Sequence, residues 1–328
     1  MFRQPLKIIW NITNKCGYDC DICATSSDRE EISYDEKKEV LESILTIDSL
    51  NIAQIDFSGG DPLFSQEAVD IVYRTSNILG KEKVSVTTTG KGIESAYNKG
   101  EDLSKLLFNC EITIDSPDQI PVYLRNDSSY VETNRKAIKY AVREINGLTV
   151  NVPILDPQMD YKKIKKLVDE IAQIESKHIS VNLIRLMNVG KMNHKDYPVI
   201  YLPEAFIESF KECAKGTRIK NIHIHCALRG KILGMQCNML TEKLGIDCSG
   251  NVFSCIWGGY IKGYDRNNIS DNPFYIGNLL QNSLSEVLEG KRAKELEKLI
   301  KTNPTSHCRV FCCGKGNLWL EDDPLFKL

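Results

Sequence analysis

The stretch KIIWNITNKCGYDCDICAT, residues 7–25, joins an apolar run to three cysteines within eight positions. The run KIIWNIT (7–13) reads as a strand, because β-branched and aromatic residues suit a pleated, buried surface. Cys16, Cys20 and Cys23 then fall on the loop at the C-terminal end of that strand. Parallel α/β folds place their functional groups at that edge. The N-terminal MFRQPLKIIWNIT has neither the long apolar core nor the small-residue cleavage site of a signal peptide. No run approaches the ~18 apolar residues of a membrane span. A cytoplasmic setting is expected, and there clustered thiols bind metal more readily than they pair as disulfides.

The chain has 328 residues, enough for one large domain and a smaller one. Its formal charge of −2 gives no electrostatic reason to expect nucleic acid or an anionic membrane as partner. The twelve cysteines are unevenly spread: three in 16–23, seven in 226–313, with only Cys110 and Cys213 between. Those two read as small buried hydrophobes.

Over the first two hundred residues, short apolar runs alternate with helical patterns, which argues for βα units and a parallel sheet. After KIIWNIT the strands are IAQIDFS, KVSVTTT, CEITID, LTVNVPIL and HISVNLIRL. Helices are expected over ISYDEKKEVLESILTI, where Ser33 and Glu36 have capping-box spacing, and near 66–79, 101–108, 128–145 and 161–176. About six βα units fall short of the eight of a closed barrel, so the expected fold is a partial (β/α)6 TIM-type barrel over 1–200. Beyond residue 200 the rhythm breaks. A helix (204–215), the strand NIHIH, cysteine-bearing loops and a late helix (283–301) read as a smaller α+β domain over 201–328. His223 and His225 share one face of that strand and read as ordinary polar positions.

Four crowded thiolates would close a zinc site or fully ligate a four-iron cluster, whereas three leave one iron open to an external ligand. A zinc knob completed from elsewhere is the bland alternative. Cys16-x3-Cys20-x2-Cys23 after a first strand resembles the signature of radical S-adenosylmethionine (SAM) enzymes, although Ile22 stands where that family usually has an aromatic residue. DFSGGDPLF (56–64), closing the second strand, resembles the family's Gly-Gly-Glu-Pro motif with Asp61 in place of Glu. The resemblance implies a SAM-binding [4Fe-4S] cluster on the three cysteines. It also implies a SAM site that includes Gly59, Gly60, Asp61 and Pro62, with Gly60 and Asp61 on the SAM amino group. By the same resemblance Thr88 in VTTTG, Thr113 and Asp115 in TIDS, Arg125, and Met187 in IRLMNVGK would lie near SAM.

Cys237, Gly250 and Cys255 resemble the Cys-x(9–15)-Gly-x4-Cys opening of SPASM and twitch domains, which carry auxiliary clusters. The distal cysteines of a full SPASM pattern are missing. The resemblance therefore implies one auxiliary [4Fe-4S] cluster on Cys237, Cys255 and Cys308, with Cys312 or Cys313 as fourth ligand. Cys226 and Cys248 are either structural or part of a second auxiliary cluster. The implied activity is reductive cleavage of SAM, then oxidative modification of a ribosomally made peptide by crosslink, thioether or dehydrogenation. A flavodoxin- or ferredoxin-type reductant would supply the electron. Two alternatives stay open: a dehydrogenase or epimerase of a small molecule such as an aminocyclitol or sugar, and a non-catalytic iron–sulfur carrier.

Overall fold

The computed structural model describes residues 5–312 except 26–28, 49–50, 107, 116–119, 121, 155–159, 195–202 and 262–267. Seven parallel strands run in sequence order: β1 (Leu6–Thr13), β2 (Ile52–Gly59), β3 (Val84–Thr88), β4 (Asn109–Thr113), β5 (Gly147–Ile154), β6 (His178–Arg185) and β7 (Ile219–Ile224). Three later strands, β8 (Lys243–Ile246), β9 (Asn251–Phe253) and β10 (Tyr275–Asn278), join the free edge of β1. β8 lies parallel to β1, with Lys7 opposite Lys243 and Trp10 opposite Ile246, while β9 and β10 run antiparallel. The expected partial barrel is present and is longer at both edges than the six-strand reading. The strand at NIHIH, read as part of the smaller domain, pairs in parallel with β6 as the seventh strand of the barrel sheet.

Alternation along the strands separates core from cavity. Ile8, Trp10, Ile55, Phe57, Val84 and Val86 are fully buried beneath the helices. Lys7, Asn11, Asp56, Thr87, Glu111 and Asn151 line the opposite, concave side. A polar lumen inside an apolar shell is what a site in the barrel requires, and each inward strand residue contributes to it.

The helices are α1 (Tyr34–Ile44), α2 (Gln66–Leu79), α3 (Gly90–Asn98), α4 (Leu103–Leu106), α5 (Tyr130–Glu144), α6 (Tyr161–Ala172), α7 (Pro203–Ala214), α8 (Cys226–Leu233), α9 (Leu284–Glu289), α10 (Lys291–Thr302) and α11 (Arg309–Cys312). Ser33 and Glu36 form the expected capping box of α1, a device worth about 1 kcal/mol. α3 is not legible from pattern because Gly90 and Gly92 read as breakers, yet Thr89 caps it by accepting from Gly92 N. The late helix is two helices meeting at Gly290. Cys110 and Cys213 sit buried in the core, as expected of small hydrophobes. Among the described residues no helix is long and apolar enough to cross a membrane.

Candidate functional site

The cysteine loop leaves β1 and is gripped from several elements. Gly60 N donates to Thr13 O and Asp61 N to Lys15 O, both at 2.7 Å. Thr25 Oγ1 donates to Gly59 O at 2.6 Å, Asp21 N to Leu124 O at 2.8 Å, and Lys191 N to Cys23 O at 3.0 Å. Lys91 reaches Gly17 O at 2.9 Å while paired with Asp127 at 2.7 Å. Hydrogen bonds from several elements thus fix the loop that carries the three thiols. Burial pushes the Cys16 thiol up to about 12. Burial also raises Cys20, against the nearby Arg125 guanidinium, which pulls it down.

The Gly-Gly-Asp-Pro turn works mainly on this loop. A Cβ on Gly60 would overlap the Lys15 carbonyl oxygen and lie 2.7 Å from Asn14 carbonyl atoms. Gly59 has φ +121° and packs against Thr13 O. The close backbone approach that needs glycine is thus between strand end and cysteine loop. Asp61 is fully buried and accepts from Thr88 Oγ1 (2.6 Å), Thr89 Oγ1 (2.6 Å), Thr89 N (2.9 Å) and Leu63 N (3.1 Å). Its carboxylate ties β3 to the turn rather than facing the cavity.

Gly59, Gly60, Thr88, Thr113 and Arg125 line the cavity; Asp61, Pro62, Asp115 and Met187 are buried. Asp115 acts at one remove. It accepts both arms of the Arg125 fork, at 2.6 and 2.7 Å, and so aims that guanidinium at the loop beside Cys20.

A second thiol group faces the first. The hairpin from β8 to β9 turns at Gly250, φ +75°, and carries Cys255 back beside Cys237 as the spacing predicts. Burial pushes Cys255 up to about 12, and the sulfurs of Cys226 and Cys237 add to it. Cys308 is raised by burial and by the same two sulfurs, with Cys255 also contributing. Cys226 therefore belongs to this group. It opens α8 directly after β7, and although burial would raise its thiol, adjacent His225, with Lys243 and Arg229, draws it down to about 6. His225 is not an idle strand position; its ring meets Trp257 edge-on at 5.9 Å.

Cys248 is buried, with Asn14 and Ser249 as hydrogen-bond partners. Cys313 and the side chain of Cys312 lie outside the described residues. The sequence signal for Cys226 was its place at a strand's C-terminal end, the same kind of position that Cys16 follows. Two buried arginines flank the group: Arg185 stacks 3.5 Å over the Phe311 ring near Cys308, and Arg309 lies near Cys237.

Both thiol groups open on one cavity of about 360 Å³. Its floor holds Lys7, 3.6 Å from Glu111, and Asp56, which accepts from Ser85 Oγ at 2.7 Å. Burial and the Glu111 charge push Asp56 up to about 6, against the pull of Lys7. Among the described residues no three His, Cys, Asp or Glu side chains converge tightly enough to hold a single metal ion. Cysteine thiolates are the usual ligands of iron–sulfur clusters, and both groups are made of them.

A parallel barrel with two cysteine groups on one cavity defines a class of iron–sulfur enzyme, and comparison with known families names it. Residues 10–171 match the radical SAM superfamily, and residues 237–314 match the SPASM iron–sulfur cluster-binding domain. The chain belongs to the radical SAM superfamily, carries a C-terminal SPASM domain, and is a radical SAM enzyme. These domains imply [4Fe-4S] clusters and SAM binding, and they set aside a non-catalytic carrier.

In sequence the chain is similar to the GTP 3',8-cyclase of Staphylococcus saprophyticus, 21% identical over 293 residues, covering 81% of this chain and 84% of that one. The GTP 3',8-cyclase of Staphylococcus aureus strain JH9 is 20% identical over 290 residues, with 80% and 82% covered. In structure it resembles Streptococcus suis SuiB bound to the precursor peptide SuiA, with TM-score 0.68, 15% identity, and 99% and 76% of the two chains covered. It also resembles anSMEcpe with bound AdoMet and the Cp18Cys peptide, with TM-score 0.60, 15% identity, and 89% and 82% covered. At such identities the structural likeness establishes the fold.

Proposed function

We propose that this enzyme oxidatively modifies a ribosomally made peptide, installing a crosslink, a thioether or a double bond. The observation that carries the proposal is the single cavity lined by Cys16, Cys20 and Cys23 on one side and by Cys226, Cys237, Cys255 and Cys308 on the other. Three thiols would hold the cluster that leaves an iron free for SAM, which, when bound and reduced, supplies a 5′-deoxyadenosyl radical. Gly59, Gly60, Thr88, Thr113 and Arg125 would form the wall against which SAM lies. Cys226, Cys237, Cys255 and Cys308 would hold a second cluster, which would supply an electron acceptor. Loss of a hydrogen atom leaves a substrate radical, which reaches a stable oxidised product only by giving up one more electron and a proton. Arg185 and Arg309, buried beside the four thiols, lower the cost of placing that electron there. Residues 1–200 would house the radical chemistry and 201–328 the electron acceptor, although β7 continues the barrel sheet. Peptides bound to SuiB and anSMEcpe support a peptide substrate.

The names of the sequence relatives favour a second reading, rearrangement of a nucleoside triphosphate. The cavity lining carries both signs, Asp56 and Glu111 with Lys7, Arg125, Lys243 and Arg309, so the choice between the two readings rests on the product. The test is incubation of anaerobically reconstituted enzyme, SAM and reductant with short peptides encoded near its gene, and separately with GTP. A peptide product lighter by about two daltons supports the proposal. An unchanged mass in H2O, with one deuterium taken up in D2O, indicates epimerisation, and consumption of GTP the second reading; either overturns it.

A further inference from the structure

Oxidation by loss of a hydrogen atom and an electron leaves one proton to be placed. The cavity lining carries two carboxylates that could take it, Asp56 on β2 and Glu111 on β4. Glu111 is engaged by the Lys7 ammonium, 3.6 Å from its Oε1. The nearby acids off the lining are engaged through both oxygens, Asp115 by the Arg125 fork and Asp61 by Thr88, Thr89 and Leu63.

Asp56 differs from all three. It is 5% exposed and borders the cavity on which both thiol groups open. Its Oδ1 accepts from Ser85 Oγ at 2.7 Å, whereas among the described residues Oδ2 meets only Thr87 Oγ1, at 3.4 Å. A hydroxyl bonds a good acceptor at about 2.7–2.8 Å, so Oδ2 keeps a lone pair for another donor. Lys7 on β1 and Glu111 on β4 act on Asp56 with opposite charge, and Lys243 on β8 stands opposite Lys7 on the same lining. β3 brings only neutral Ser85 and Thr87. Burial and Glu111 push Asp56 up to about 6 against the pull of Lys7. A carboxylate so placed is ionised at neutral pH and still basic enough to hold a proton for an instant.

We infer that Asp56 is the catalytic base of the oxidation, its Oδ2 receiving the proton that the substrate gives up as the radical's electron departs. The inference rests on the oxidative peptide reading and adds the group that completes its balance. Homolysis of a substrate C–H bond passes one hydrogen atom to the 5′-deoxyadenosyl radical. The carbon radical's electron goes to the oxidised second cluster, and a proton leaves the neighbouring S–H, N–H or C–H as the new bond to carbon forms. That proton passes to Asp56 Oδ2 and then to water as the product departs. The substrate has lost a hydrogen atom, an electron and a proton, and Asp56 ends as the carboxylate it began as.

The experiment has two arms, both on the reconstituted, SAM-loaded enzyme. The first needs no substrate: infrared difference spectra of isotope-labelled aspartate, unaltered enzyme minus Asp56→Asn. The protonated carboxyl band of Asp56 should fade as pH rises through about 6. Lys7→Met should move that transition to higher pH and Glu111→Gln to lower pH, opposite shifts that a loss of folding cannot imitate. The second arm measures oxidised peptide formed per 5′-deoxyadenosine, a ratio in which any common loss of folded enzyme cancels. The ratio should rise with pH through the same transition, because only the ionised carboxylate can accept the proton. Asp56→Asn should lower it by about a hundredfold, and Asp56→Glu should recover part of the loss. A transition that ignores Lys7→Met and Glu111→Gln, or a ratio that survives Asp56→Asn, overturns the inference while leaving the oxidative reading standing. Absence of any oxidised peptide with the unaltered enzyme refutes that reading, and the base with it.

Discussion

Replacing Gly60 with alanine is the most direct probe of how the cysteine loop is held. The new Cβ would overlap the Lys15 carbonyl oxygen and stand 2.7 Å from the Asn14 carbonyl carbon and oxygen. All are backbone atoms of the residues just before Cys16, so no flexible side chain can absorb the overlap. Relief requires the loop to move out by roughly 1 Å, and overpacking of this kind costs about 1–3 kcal/mol. The shift also stretches Gly60 N to Thr13 O and Asp61 N to Lys15 O, now 2.7 Å each. Each such bond contributes about 0.5–1.5 kcal/mol, so the loop loses about 2–6 kcal/mol locally. Gly100→Ala is the control, because φ there is +75° but nothing lies within 4 Å. It should cost about 1 kcal/mol of global stability and leave the loop alone. The assay is iron content and SAM cleavage after anaerobic reconstitution, with electron paramagnetic resonance distinguishing the two clusters. Gly60→Ala should lose the SAM-side signal and 5′-deoxyadenosine formation while retaining the other signal. If Gly60→Ala carries full iron and cleaves SAM at the unaltered rate, the glycine pair does not position the cysteine loop.

Two further outcomes follow from the geometry. Cys226→Ala should lower iron by about four per chain from about eight and abolish product formation, with SAM cleavage persisting, whereas Cys248→Ala should keep both clusters; unchanged iron in Cys226→Ala would remove it from the ligand set. Asp61→Asn should reduce unfolding stability by about 2–3 kcal/mol through its mismatched hydrogen bonds, yet move SAM affinity by less than about threefold; a loss above tenfold with stability intact would return Asp61 to the SAM site.

How much of this was legible depends on the range of the interaction. The strands of the barrel and the capping box at Ser33 declare themselves because period and cap are local. The three-cysteine loop and the Cys237–Gly250–Cys255 hairpin likewise depend on short spacings. Cys226 escaped because it joins its group only through β7, whose partner β6 lies some forty residues earlier. The direction of Asp61 escaped for a related reason: its carboxylate is claimed by Thr88 and Thr89, and nothing in a Gly-Gly-Asp-Pro turn announces that competition. The Asp56–Glu111–Lys7 floor is invisible in sequence, since its members sit on three strands and resemble any inward polar position.

The parallel pairing of β1 with β8 bears on how the chain is made. β1 finds β2 soon after synthesis, but its other edge is covered only when Lys243–Ile246 emerges, about 230 residues after Thr13. At about 5–20 residues per second that is a wait of roughly 10–50 s. Throughout it, LKIIWNIT presents an open row of backbone donors and acceptors, the kind of edge that recruits other nascent chains. The grip on the cysteine loop from the β2 turn forms early, whereas the wall that encloses it arrives last. The late strand, by pairing with β1, ends the period in which that edge can recruit a neighbour.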